Sequence, residues 1–380
     1  MSGHVRHLYV HLPFCSHRCG YCDFVTVVGR RGQHERYVEA LVAELAGESG
    51  VLADPLESLF LGGGTPTFTD LGALSRLLAA LPAAEELTVE ANPETVTAEL
   101  ARLLRSAGVN RVSLGVQSFQ TKLLAVLERR AGPNDVRTAV YHLRDANFDN
   151  ISLDLLYGIP GQSAAELEHD LSEALALEPE HVSCYELEAK PGTRFAHRQG
   201  AALRRQAAAM ETYFERVVEI LGAAGYRWYE TANFCLPGER ADGRDLRARH
   251  NLGYWLGRDY LGIGIGAVST IDGQRRRNTP RLGSYLSTAA SGEAPPREVE
   301  QLSGEVRLRE RLMLGLRLDE PVALEPLRRA VDPAALVRLQ QLGLVRLLPG
   351  TGSGPEPGRE LTLTPRGRFL GGAVTAELLT

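Results

Sequence analysis

Lysine is almost missing from this chain. Of its 42 basic residues only Lys122 and Lys190 are lysines, and the 47 acidic residues leave a net charge of −5. That balance excludes the basic footprint expected of a protein held to nucleic acid by electrostatics. There is no run of about 18 apolar residues, so no membrane-spanning helix is expected. The opening "MSGHVRHLYV" has neither the apolar core nor the cleavage site of a signal peptide. Cysteine is scarce and odd in number, five in 380 residues. Without an export signal, that usage points to reduced thiols and a cytoplasmic setting rather than a disulfide framework.

What is present is the composition of a globular protein, 44% hydrophobic and 23% charged. Through roughly the first 225 residues, short β-type runs ("HLYVHL", "SLFL", "ELTVEA", "NRVSLGVQ", "NISLDLLYG", "HVSCYEL") alternate with amphipathic helical stretches, and residues 1–235 are read as the core barrel. Ser163 and Glu166 stand in capping-box spacing ahead of one of them. Six such units imply an α/β protein with a parallel sheet and right-handed crossovers. The strands carry two kinds of face. Leu87 and Val89 alternate with Thr88 and Glu90, and Leu153 and Leu155 with Ser152 and Asp154. Carboxylates on a second face would be costly in a dry core. A partial (β/α) barrel with a polar lumen satisfies both, its site toward the strands' C-terminal ends. Residues 236–300 are rich in Gly and Arg without a long helical period and read as a connecting segment. From 301 to 380, helices followed by a β-hairpin with a flexible tip suggest a small winged-helix-like domain.

The cysteines concentrate the chemistry. Cys15, Cys19 and Cys22 form C-x3-C-x2-C, and Phe24 occupies the place where a fourth thiol could sit. Closed zinc coordination with His11 or His17 as fourth ligand is one reading, and three unliganded thiols another. A cubane iron–sulfur cluster on three cysteines, with one iron left open to a small molecule, is the third. The loop "GGGTPT", Gly62 to Thr67, follows a strand. Consecutive glycines let a ligand approach the backbone and leave N–H groups to bind it.

Taken together and in order, "YVHLPFCSHRCGYCDF", "GGGTPT", "EANPET", "RVSLGVQSF" and "LDLLYGIPGQ" resemble the radical S-adenosylmethionine branch that contains oxygen-independent coproporphyrinogen III dehydrogenase. The resemblance runs from residue 8 to about residue 270. It implies a 4Fe-4S cluster on Cys15, Cys19 and Cys22 whose open iron binds S-adenosylmethionine, with an electron donor to reduce it. One-electron cleavage then gives methionine and a 5′-deoxyadenosyl radical. It also implies Tyr9, Tyr21, Gly63, Gly64 and Thr65 around S-adenosylmethionine, with Glu90, Gln117, Arg129 and Asp154 reaching in from strand ends. At Arg129 the related pattern is L-G-R-x-H, whereas this chain reads "LERRA", so Glu128 and Ala131 replace Gly and His and the register admits Arg129 or Arg130.

Two details separate branches of that family. The decarboxylating dehydrogenases resemble longer chains with a further cysteine where this one has Phe24. "RHNLGYW" matches the H-N-x-x-Y-W signature of a heme chaperone branch, which implies heme as ligand, His250 as a candidate for its iron, and a heme-accepting target protein. Relatives often read G-A-H-S where this chain has "GAVS", with Val268. The expectation is a heme chaperone with no assigned catalytic residue, against the alternative of coproporphyrinogen III decarboxylation.

Overall fold

The computed structural model describes residues 4–350 and 359–379. Six βα repeats open it: β1 (His7–Leu12), α1 (His34–Glu48), β2 (Leu56–Gly63), α2 (Leu71–Ala80), β3 (Ala84–Ala91), α3 (Ala98–Ser106), β4 (Arg111–Gln117), α4 (Thr121–Val126), α5 (Pro133–Asp145), β5 (Ile151–Tyr157), α6 (Ala164–Leu175) and β6 (His181–Glu186). The six strands lie side by side in chain order, all parallel.

Register explains the alternation in the sequence. Leu8 aligns with Leu59 and Leu59 with Leu87, Val89 with Val112, and Leu114 with Leu153. These rows pack under buried helix residues such as Tyr37, Leu41, Leu77, Leu104, Leu143 and Leu171. The opposite face aligns Glu90 with Ser113, Ser113 with Ser152, and Asp154 with Ser183. Helix ends follow local chemistry. Ser163 and Glu166 exchange the two bonds of a capping box, and Asp70 accepts from Gly72 and Ala73 at the start of α2.

After α7 (Arg194–Gln206) and α8 (Met210–Ala223), β7 (Arg227–Glu230) and β8 (Asn233–Cys235) extend the sheet antiparallel beyond β6. The segment read from sequence as a connection does more than connect. It forms α9 (Arg249–Trp255), then β9 (Tyr260–Ile263), which pairs parallel with the free side of β1. β10 (Val268–Ile271), β11 (Gln274–Asn278) and β12 (Arg297–Gln301) continue antiparallel from it. Glycine disguised β9: a Cβ on Gly262 would lie 2.2 Å from the Val268 carbonyl oxygen, so the close strand pairing demands a residue with poor strand propensity. The twelve strands run β12-β11-β10-β9-β1-β2-β3-β4-β5-β6-β8-β7, an open arc rather than a closed barrel.

Glu44 on α1 ties this extension down. Its buried carboxylate accepts from Gly264 N, Tyr285 Oη, Asn278 Nδ2 and Arg297 at 2.6 to 3.1 Å. The C-terminal part has its own apolar cluster, with Leu312, Leu339, Val345, Leu361 and Leu378 among its members. α10 (Leu282–Ala290) is followed there by α11 (Gly304–Gly315), helix Pro333–Gln341, and the antiparallel strands Val345–Pro349 and Arg359–Leu363. The expected tip of that hairpin, 351–358, lies outside the described residues. No helix among the described residues is long and apolar enough to cross a membrane.

Candidate cofactor site

The cysteine loop springs from the C-terminal end of β1. Phe14–Cys15 pairs with Val27–Val28, and Val27 N donates to Pro13 O while Gly29 N donates to Cys15 O, so both ends of the loop are pinned. Between them Cys22 N reaches Cys19 O at 3.3 Å. The far side of the loop is held by Phe195 N to Gly20 O and by Arg194 to Arg18 O.

Glu128 accounts for one departure from the related pattern. Its φ is +57°, the left-handed region where glycine is least strained. Here a glutamate occupies it, and its carboxylate pairs with Arg194 at 2.7 Å and Arg198 at 3.0 Å while its carbonyl accepts from His17 Nε2 at 2.7 Å. The turn delivers Arg129 to the cavity wall and leaves Arg130 exposed. Arg129 donates to Asn92 Oδ1 at 3.0 Å and to the Gly115 carbonyl, and lies 3.8 Å from Cys19 Sγ. The second departure, Ala131, is buried in place of a histidine.

The glycine loop packs against the cysteine loop more tightly than its sequence implied. A Cβ on Gly63 would lie 2.4 Å from His11, and one on Gly64 2.5 Å from the Pro13 backbone. The expectation of free amides is corrected. Gly63 N donates to Glu90 Oε2, Gly64 N to Leu12 O, and Thr65 N to Phe14 O. The glycines serve close approach of backbone to backbone.

A cavity of roughly 140 Å³ opens under the cysteines at the strand ends. Eleven expected residues line it: the three cysteines, Tyr21, Gly63, Gly64, Thr65, Glu90, Gln117, Arg129 and Asp154. Gln117 reaches it because the β4 register slips after Gly115 and its own φ is +68°. Asn92 and Ser113 were missed from the sequence. Asn92 ties Arg129 to Thr65 and Ser113 donates to both Asp154 oxygens, and "EANPET" was the signal that could have flagged Asn92. Burial and the nearby Asp154 charge push Glu90 up to about 7, and burial also raises Asp154.

Burial pushes Cys15 up to about 11 and raises Cys22, so binding a metal there releases thiol protons. The three thiols are not gathered as a compact zinc set would require, although His17 Nε2 lies 3.7 Å from Cys19 Sγ. Tetrahedral thiolates at about 2.3 Å from zinc sit about 3.8 Å apart. Among the described residues the one trio of ligand groups gathered within 4.8 Å is His4, Asp259 and Asp272, not the cysteines. Both His11 nitrogens are engaged, with Val25 O and Tyr9 Oη. A cubane, which carries its thiolates on separate irons, suits the wider loop.

Tyr9 and His250 lie outside this cavity. The Tyr9 ring stacks on Phe60, and Phe60 on His250, at centroid distances of 6.1 and 5.2 Å. His250 is 2% exposed. Its Nδ1 meets Ser58 Oγ at 2.9 Å, and Ser58 in turn meets His7 Nδ1 at 2.8 Å. Its Nε2 meets Tyr254 Oη at 2.9 Å. Burial lowers His250 to about 3 and His7 to about 4, so both are neutral at pH 7. α9 thus closes the lumen at the strands' N-terminal ends, and the polar strand faces divide between a cavity above and a hydrogen-bonded plug below.

Residues 9–174 match the family described as Radical SAM superfamily. Curated proteins named heme chaperone HemW are similar over most of their length. That of Bacillus subtilis is 34% identical over 98% of this chain and 98% of its own, and that of Lactococcus lactis 36% over 83% of each. The Escherichia coli protein is 36% identical over 80% of this chain and 82% of its own. A solved structure described as coproporphyrinogen III oxidase (HemN) from Escherichia coli, a radical SAM enzyme, shares the fold. It covers 100% of this chain and 91% of its own, with a TM-score of 0.80 at 23% identity. The chain belongs to the HemW family of radical SAM proteins.

Proposed function

We propose that this protein is a heme chaperone that holds a 4Fe-4S cluster on Cys15, Cys19 and Cys22, binds S-adenosylmethionine beneath it, and passes heme to a target protein. The observation that carries the first half is the cavity itself, with three thiols above it and two carboxylates, an amide and a guanidinium projecting from its walls. The heme half is supported by the HemW relatives and by "HNLGYW". When bound, the cluster supplies one electron for cleavage of a carbon–sulfur bond. The protein's own contribution is placement: Arg129 and Asn92 brace the glycine loop, while Glu90 and Asp154 offer negative charge to a cationic ligand.

Glu90 gives this site a pH signature. If the ionised carboxylate binds the ammonium or sulfonium of S-adenosylmethionine, affinity is full above its pKa and lost as pH falls through about 7. Binding to the anaerobically reconstituted protein should weaken by about tenfold from pH 8 to pH 6. Glu90→Gln should be weaker throughout and nearly independent of pH, with the cluster intact. Calorimetry showing equal affinities for the two proteins at every pH would remove Glu90 from the site.

The second reading, oxidative decarboxylation of coproporphyrinogen III, is separated by one experiment. Phe24 stands at the rim of the cavity, 63% exposed, where the dehydrogenase pattern carries a cysteine. Reconstituted protein given S-adenosylmethionine and a strong reductant should bind heme and leave coproporphyrinogen III unchanged. Turnover of the porphyrinogen with no stable heme complex would reverse the assignment.

A further inference from the structure

His250 is sealed behind Tyr254, so a heme approaching from solvent meets a different surface first. That surface is a groove of roughly 1090 Å³ between the outer strands β9–β11 and helix α11. That is slightly above the usual range of small-molecule sites, about 300–1,000 Å³. Its apolar lining includes Leu308, Met313, Leu314, Pro326 and Leu327, and the Tyr254 ring forms part of the inner wall. Met313 is 43% exposed.

The charge of the groove is opposite to that of the chain. Arg258, Arg275, Arg307 and Arg311 line it with the carboxylates Asp259, Glu305 and Glu310, on a protein whose net charge is −5. Arg258 pairs with Glu57, and Arg275 with Glu310. The Arg311 guanidinium donates to the Leu256 carbonyl and has no carboxylate partner among the described residues. Arg307 is exposed on the rim beside the Asp272–Gly273 turn, and its guanidinium has no ion-pair or hydrogen-bond partner among the described residues. An apolar floor with surplus positive charge at one edge complements a flat apolar macrocycle bearing two carboxylates.

We infer that the groove between α11 and strands β9–β11 is where heme docks, its propionates toward Arg307 and Arg311 and its ring against Met313, Leu308 and Leu314. The inference rests on the heme chaperone reading. Heme so placed lies on the outer side of Tyr254, whose hydroxyl holds His250 Nε2, so the H-N-x-x-Y-W helix forms the wall between heme and the barrel lumen. Met313 is the lining residue with a thioether, a ligand type used for heme iron.

The test is titration of the full chain with iron protoporphyrin IX, followed in the Soret region, for wild type, Arg307→Glu and Arg307→Glu/Met313→Glu. Both positions are exposed on one helix, and circular dichroism verifies folding. Reversing Arg307 should weaken binding at least about tenfold, from loss of a charge-assisted contact. The double variant should be weaker still. The dimethyl ester of the same porphyrin, which lacks the carboxylates, should be indifferent to Arg307→Glu yet weakened in the double variant. Saturable wild-type binding that both variants retain, while His250→Ala abolishes it, would overturn the groove and place heme on the lumen side. Absence of saturable binding by the wild type would overturn the chaperone reading itself, a different result.

Discussion

Alanine at Cys15, Cys19 or Cys22 should abolish the iron–sulfur cluster. Reconstituted wild type should carry about four irons and about four sulfides per chain, and each variant close to none. Two thiolates cannot replace three, because the loop is pinned by the Pro13–Val27 and Cys15–Gly29 bonds, and the remaining cysteines, Cys184 and Cys235, lie in other clusters. The two remaining cysteines are the controls. Cys184 is buried in the main core, and Cys235 packs in the separate cluster with Tyr229 and Leu318. Cys184→Ala and Cys235→Ala should keep full iron content. Zinc in the purified protein, or equal dependence on all five cysteines, would sink the assignment.

The second large effect is on stability. Glu44→Ala should destabilise the fold by about 3–5 kcal/mol, the cost of removing one partner from a buried charge pair. Its carboxylate is 3% exposed and faces Arg297 at 3.1 Å. Removing it also strips acceptors from Gly264 N, Tyr285 Oη and Asn278 Nδ2. Arg297 keeps Glu48 at 2.6 Å, which holds the loss to that range rather than above it. Glu44→Gln should lie between, since an amide accepts on one atom and presents a donor where a second acceptor is needed. Urea unfolding measured by circular dichroism reads both variants. A Glu44→Ala loss below about 1 kcal/mol would mean that water or a rearranged Arg297 satisfies these groups, contrary to the burial seen here.

Much of the cofactor cavity was legible beforehand for a geometric reason. In a strand, residues two apart share a face, so Glu90 and Asp154 among apolar neighbours announced a polar lumen without any knowledge of partners. What alternation could not give was depth. Ser58 and His7 also lie on strands, yet they meet His250 of α9 at the other end of the lumen, and the three satisfy one another. Tyr9 likewise belongs with Phe60 and His250, because position along a strand, not face, decides which polar residues meet a ligand and which meet α9.

The sequence by itself determined the βα order, the two-faced strands, the three-thiol loop and its glycine neighbour. Each is encoded locally, in residues a few positions apart. Only the tertiary structure decided that residues 260–301 complete the sheet, because β9 finds its partner about 250 residues away in β1 through a glycine that local propensity counts against. It likewise decided that the glycine-loop amides are spent on Glu90, Leu12 and Phe14, and that Glu128 can replace a glycine at positive φ, since Arg194 and Arg198 arrive from a distant helix to pair with it. These outcomes depend on contacts between segments far apart in the chain, whose energies no local pattern records.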